Sequence, residues 1–292
     1  MSGEQPTDEE ILAALGASGF LMEQDVATKI EDAGFNVHTS RAFQDVDEGK
    51  SREIDVWAVR RFIFDEEKKF YAFSELIVEC KNSNNPYIFI TRRKGEADKH
   101  FDAPEIRFPI KRYEARKDIG GGRANLQFTN PFSDYGFKDI HPFFLKEQKA
   151  VQFCRVDRSG KSWSANHSGL YDAMFMPILK ELKSRQAETA PKSIREEWKH
   201  AWFFYPIIVV RGRLLEIDGM SSKPTPTEVP FVPYVRHIKS KHIEGRYLVY
   251  FVNENYLSDF INQFVLPIEK KMESINLNDF LNPTREWRDA QN

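Results

Sequence analysis

Three strand-length runs crowd into the stretch 36–81: Asn36 to Phe43, Glu53 to Phe64 and Phe70 to Lys81. Turn-rich DVDEGKS and DEEKK separate them, so they read as a meander of antiparallel strands. Helices precede this meander. Thr7 to Glu10 has the T-x-x-E pattern of a capping box and leads into ILAAL, which predicts a short helix from Asp8 to Gly16. A second helix is expected from Ser18 to about Ala33, ended by Gly34, with Gln24, Asp25, Thr28, Lys29, Glu31 and Asp32 on its polar face. The opposite arc carries Val26, Ala27, Ile30 and Ala33. One turn back along that arc stands Glu23, where the spacing calls for an apolar residue, so Glu23 is expected to face inward.

Beyond the meander, NSNNP makes a turn and YIFIT a short strand, after which residues 92–148 hold no sustained period. Regularity returns with the strand AVQFCRV and with a helix from Leu170 to Arg185 that repeats apolar residues at helical spacing. The unbroken apolar run Tyr205 to Val210 follows it, and a helix leading into a buried strand predicts a crossover that adds a parallel strand. VPFVPYV and RYLVYFV read as further strands, and Tyr256 to about Ile275 as a closing helix. The expected fold is α/β, a mixed sheet flanked by helices. Its segments are a lead-in at 1–17, a core at 18–91, an irregular insertion at 92–148, completion of the sheet and crossover helix at 149–212, and a C-terminal α/β extension of strands and helix at 213–292.

The stretch LIVECKN, Leu76 to Asn82, sets the chemical question, because a run suited to the middle of a sheet ends in two ionisable groups. Strand side chains alternate faces, so Glu79 and Lys81 point one way and Cys80 the other. On the strand before it, Asp55 lies among apolar neighbours and shares a face with Glu53 and Trp57. Together with Glu23 these make three carboxylates from elements that pack as an αβββ unit. Buried like charges repel unless a cation or a shared proton holds them, and carboxylate oxygens favour hard divalent ions.

The order of these motifs resembles the PD-(D/E)xK nuclease superfamily, the restriction-endonuclease-like fold. It runs G-F-x-x-E (Gly19, Phe20, Glu23), then G-x-x-R-E-I-D (Gly49 to Asp55), then E-C-K (Glu79 to Lys81), covering roughly residues 18–91. The family's proline is absent, Ile54 standing before the aspartate. The resemblance implies an αβββαβ core and a magnesium-dependent nuclease, with manganese as a substitute ion. Asp55 and Glu79 would bind the metal, Glu23 would complete the site, and Lys81 would position or activate the attacking water. It further implies a nucleic-acid substrate, DNA favoured, a role in defence or repair, and a homodimer, since many relatives cut both strands as dimers.

Other features bear on partners. Net charge is −2, so a polyanion would meet a local patch and not a global field. Arg92, Arg93 and Lys94 follow the YIFIT strand, and Lys111 and Arg112, with Arg116 and Lys117, precede Gly120 to Gly122. These are the candidate phosphate track, interleaved with Phe101, Phe108 and Tyr113. No G-K-[ST] follows the glycines, which excludes a nucleotide P-loop. Trp163, Trp202 and the many phenylalanines read as core. The two cysteines, Cys80 and Cys154, form no disulfide or zinc pattern and fit a reducing, cytoplasmic setting. No run approaches the ~18 apolar residues of a membrane span, so no membrane partner is expected.

A structural accounting of the same residues stays open. It makes Glu79 and Lys81 a strand-end ion pair, bonds Asp55 to backbone amides or Arg52, and pairs Glu23 with Lys50 or Arg41. The competing functions are a non-cleaving nucleic-acid-binding or assembly module on the same fold, and an enzyme acting on a small phosphorylated metabolite.

Overall fold

The computed structural model describes residues 5–45, 47–101, 105–109, 113–117, 124–128, 131–191, 197–282 and 284–286, with backbone alone for 113–117, 124–128 and 284–286. Helix α1 spans Asp8–Ser18 and opens on the expected capping box, the Thr7 hydroxyl accepting from the Glu10 amide while the Glu10 carboxylate accepts from the Thr7 amide. It runs past Gly16 and ends at Gly19, whose φ of 95° makes the corner into helix α2, Phe20–Asp32.

The strands are β1 (Asn36–Gln44), β2 (Ser51–Asp65), β3 (Phe70–Asn82), β4 (Tyr87–Arg93), β5 (Ile106–Arg107), β6 (Tyr113–Lys117), β7 (Ala124–Phe128) and β8 (Gln148–Ser159). They continue with β9 (Ser162–Asn166), β10 (Lys199–Arg211), β11 (Leu214–Asp218), β12 (Thr227–Glu228), β13 (Phe231–Lys239), β14 (Glu244–Asn253) and β15 (Thr284–Glu286). One large mixed sheet holds twelve of them in the order β1-β2-β3-β10-β14-β13-β8-β4-β11-β12, with β5 on β10 and β9 on β8, and β15, β6 and β7 form a second sheet.

The meander forms as its turns dictate, β1 with β2 and β2 with β3 both antiparallel. Parallel neighbours need a long connection. The chain between β3 and β10 supplies it, with a crossover helix of one π-helical turn (Tyr171–Phe175) and an α-helix (Met176–Glu188). β10 then lies parallel to β3 along its whole length, and β14 parallel to β10. The C-terminal hairpin β13–β14 thus sits mid-sheet.

Period-two alternation sorts β10 into two apolar layers. Phe203, Tyr205, Ile207 and Val209 join Met22, Val26 and Ile30 of α2, and also the closing helical run that extends through Glu254–Glu273. Trp202, Phe204, Ile208 and Val210 meet Phe175, Ile178, Leu179 and Leu182 of the crossover helix. Phe101, Phe132, Phe137 and Phe143, from the segment without sequence period, are buried in the α2 layer. Trp163 corrects the core reading, being 60% exposed on the hairpin β8–β9, and so do the exposed Phe20 and Phe64. Among the described residues no helix is long and apolar enough to cross a membrane.

Candidate metal and catalytic site

Where the β2–β3 ladder ends, the sheet opens for side chains. Val56 pairs with Val78 at the last paired position, and one further step of the same register sets Asp55 opposite Glu79. β2 also rotates there: Val56 packs in the α2 layer, yet Ile54, two residues away, packs in the crossover-helix layer. That rotation takes Asp55 off the usual alternation and toward β3, where its Oδ2 accepts the backbone amide of Cys80 at 2.6 Å. Side chain replaces backbone at this rung.

Glu79 is 8% exposed, and its Oε1 accepts from Lys81 Nζ at 2.5 Å. Asp55 Oδ1 and Glu79 Oε2 accept no hydrogen bond among the described residues. Each carboxylate therefore keeps one oxygen for another partner.

Helix α2 carries Glu23 to the same place, half-buried. Asn82, one residue past Lys81, donates from Nδ2 to the carbonyls of Gly16 (2.6 Å) and Ala17 (3.3 Å), which ties the α1–α2 corner to the end of β3. A Cβ on Gly19 would lie 3.7 Å from Asn82 Cβ and 4.0 Å from Glu23 Oε1, so the corner is packed against the site.

The charges at this edge feel one another. Burial, then the neighbouring Asp55, pushes the Glu79 carboxyl up to about 7, with Glu23 adding to the rise and Lys81 opposing it. Asp55 is raised by burial and by Glu53 against the pull of the Cys80 amide and Lys81. Glu23 is raised by burial and by Asp55, and Lys81 again opposes. Burial and these three acids hold the Cys80 thiol far above its ordinary range, which makes it an unreactive spacer.

The structural pairings open in the sequence resolve in part. Asp55 does bond an amide, and Glu79 does pair with Lys81. Arg52, however, goes to Asp45, Arg41 to Glu181 at 3.4 Å and Lys50 to Glu48 at 3.4 Å, so none of these cations neutralises Asp55 or Glu23.

Among the described residues no three Asp, Glu, His or Cys side chains converge as a ready cage for a metal ion. Glu23 is an electrical neighbour of Asp55 and Glu79 and does not complete such a cage. Magnesium takes one or two protein carboxylates and keeps waters for the rest. Asp55 and Glu79, each with an uncommitted oxygen, fit that requirement.

The basic residues are not brought to this edge. β4 begins after a four-residue connection from β3 and carries Arg92 and Arg93 at its far end, paired with Lys149 and Gln148 of β8. Arg92 and Arg93 are exposed there. Lys94 is half-buried, its ammonium donating to the carbonyls of Phe143 and Lys146 over the Phe143 ring, and burial pushes it down to about 8. Phe101 is buried and Phe108 packs against the core, so neither interleaves with the basic residues. Lys111 and Arg112 lie outside the described residues.

Sequence reasoning missed Asn82 and Arg211. Asn82 directly follows ECK, and that adjacency was the available signal. Arg211 pairs in register with Asn82 across β3–β10 and is held by both oxygens of Glu254 at 2.9 Å. Its place depends on a parallel pairing between distant segments, which no local pattern reveals.

Comparison of the chain with protein-family models, curated proteins and solved structures finds no match.

Proposed function

We propose that the protein is a metal-dependent nuclease that hydrolyses phosphodiester bonds of nucleic acid, DNA favoured, on a restriction-endonuclease-like αβββαβ core. The observation that carries this reading is the pairing of Asp55 and Glu79 at one open rung of the sheet, each with an uncommitted oxygen, Glu79 pushed up to about 7 and Lys81 bonded to it. Two acids that resist ionising side by side gain from a divalent cation between them. The residues that would hold it are Asp55 and Glu79, with Glu23 adding negative charge. Magnesium, or manganese in its place, supplies polarisation of a phosphoryl oxygen and a lowered water pKa at such a site.

The chain's own groups do the rest. The Cys80 amide fixes Asp55, so that carboxylate need not be ordered when substrate arrives. Lys81 has three donors and spends one on Glu79, which leaves two for the attacking water and for the charge developing on phosphate. Asn82 anchors the helix corner that bears Glu23. One such site per chain cuts one strand, and cutting both strands of a duplex calls for a homodimer.

The test is incubation of the pure protein with circular and linear, single- and double-stranded DNA and RNA, with magnesium, manganese or chelator, beside Lys81→Ala. Metal-dependent cleavage by the wild type and none by the variant is expected. Equal cleavage by both contradicts the assignment. Absence of cleavage on every substrate would select the second reading, a non-cleaving nucleic-acid-binding or assembly module on the same fold.

A further inference from the structure

The face of β3 that bears Glu79 and Lys81 carries Tyr71 and Phe73 toward its other end. Tyr71 is one ring of an unusual stack: Trp198 lies on it at 4.6 Å between centroids and 28° between planes, and Phe64 at 5.3 Å and 24°. Phe64 is also stacked with Trp198, at 5.9 Å and 11°. These rings are not sealed in the core. Phe64 is 52% exposed, and Tyr71 and Trp198 are half-buried.

A cation completes the feature. The exposed guanidinium of Arg61 sits 5.0 Å from the Phe64 ring and 5.6 Å from the Tyr71 ring, and among the described residues it has no carboxylate partner. Elsewhere in the fold half-buried arginines pair with acids, as Arg60 does with Glu269 and Arg211 with Glu254. Stacked rings with a free cation are complementary to a base beside a phosphate: the ring face takes any base, and the cation takes the backbone charge.

We infer that Phe64, Tyr71, Trp198 and Arg61 form a stacking platform for unpaired bases of a single-stranded segment in the substrate. Resting on the nuclease reading, this narrows the substrate to nucleic acid with a single-stranded stretch near the cut. Eight residues of β3 separate Tyr71 from Glu79, roughly 26 Å at strand rise.

The experiment is binding of a fluorescent oligothymidylate 20-mer, read by anisotropy and by quenching of tryptophan emission, with chelator present so that nothing is cut. Phe64→Ala is expected to weaken binding at least about fivefold, and Phe64→Trp to retain it. Arg61→Ala is expected to weaken binding and make its salt dependence shallower by about one unit of slope. Both positions are exposed, so folding tolerates the changes. A blunt duplex should bind wild type and Phe64→Ala alike.

The platform is overturned if the wild type does not bind the 20-mer, if both alanine variants bind it as wild type does, or if the blunt duplex loses as much. Loss of self-association in Phe64→Ala with unchanged oligonucleotide affinity gives the face to a second copy of the chain and also overturns it. Failure of the nuclease reading has a separate signature, no cleavage with metal while these binding differences persist.

Discussion

Two groups of buried acids lie on neighbouring parts of this fold, and they are treated oppositely. Asp45, 0% exposed, sits where β1 ends and the chain turns toward β2. Burial alone would raise its carboxyl, but Lys180 at 2.7 Å, the amides of Asp47 and Glu48, and Arg52 together hold it well below the usual carboxylate range. Glu75, equally buried on β3, accepts Arg185 at 2.6 and 3.1 Å and the Trp57 indole at 2.7 Å. Four residues further along β3, Glu79 has one lysine and an acid opposite, and is pushed up to about 7. The crossover helix reaches Asp45 and Glu75 with Lys180 and Arg185 but sends no cation to Asp55 or Glu79. Asp45 and Glu75 are held by cations from the crossover helix, whereas Asp55 and Glu79 each keep an oxygen for another partner.

Activity separates the two groups most widely. Asp55→Asn and Lys81→Ala should each lower metal-dependent cleavage by about a thousandfold or more with circular dichroism unchanged, whereas Lys180→Met should leave the rate of the folded fraction intact. Cleavage by Asp55→Asn at the wild-type rate breaks the contrast. Stability separates them next. Lys180→Met takes a partner from a fully buried carboxylate and should cost about 3 kcal/mol by denaturant unfolding at pH 7. A cost within experimental error would show that Asp45 is not held by its partners.

The pH dependence gives the opposite sign at Glu79. Its folded-state pKa lies near 7 against an ordinary 4.5, so the native state binds the extra proton between those values and stability falls as pH rises through them. Below about 4.5 this group costs nothing, and above about 7 its cost is complete, on the order of 3 kcal/mol. Glu79→Gln should therefore stabilise the protein at pH 8 and be neutral near pH 4. Glu181, also pushed up to about 7 by burial, contributes a second descent of the same sign that Glu79→Gln leaves in place.

How far the sequence foretold this depends on whether the signal was local. Glu23 is half-buried, with Met22 taking the buried place beside Val26, whereas the three meander strands and the capping box follow from residue spacing and were legible. So was the parallel addition of β10, because Tyr205 to Val210 is apolar on both faces and follows a helix. Trp163 was misread because hydrophobicity does not reveal which hairpin lies at the sheet's margin. Arg92, Arg93 and Lys94 follow β3 closely in sequence, yet β4 pairs with β8 and β11 and not with β3, and strand pairing is a long-range property. The asymmetry between Asp45 and Glu79 was invisible for the same reason, since Lys180 and Arg185 arrive from a helix a hundred residues further on.

The most direct measurement is calorimetric titration of manganese into the wild type and Asp55→Asn, repeated in buffers of different ionisation enthalpy. At pH 7 the wild type should take up one ion and release protons as the raised carboxyls are deprotonated, with that release shrinking toward pH 9 and both signals lost in Asp55→Asn. Binding of equal strength in Asp55→Asn, or no binding to the wild type at millimolar metal, would contradict the account.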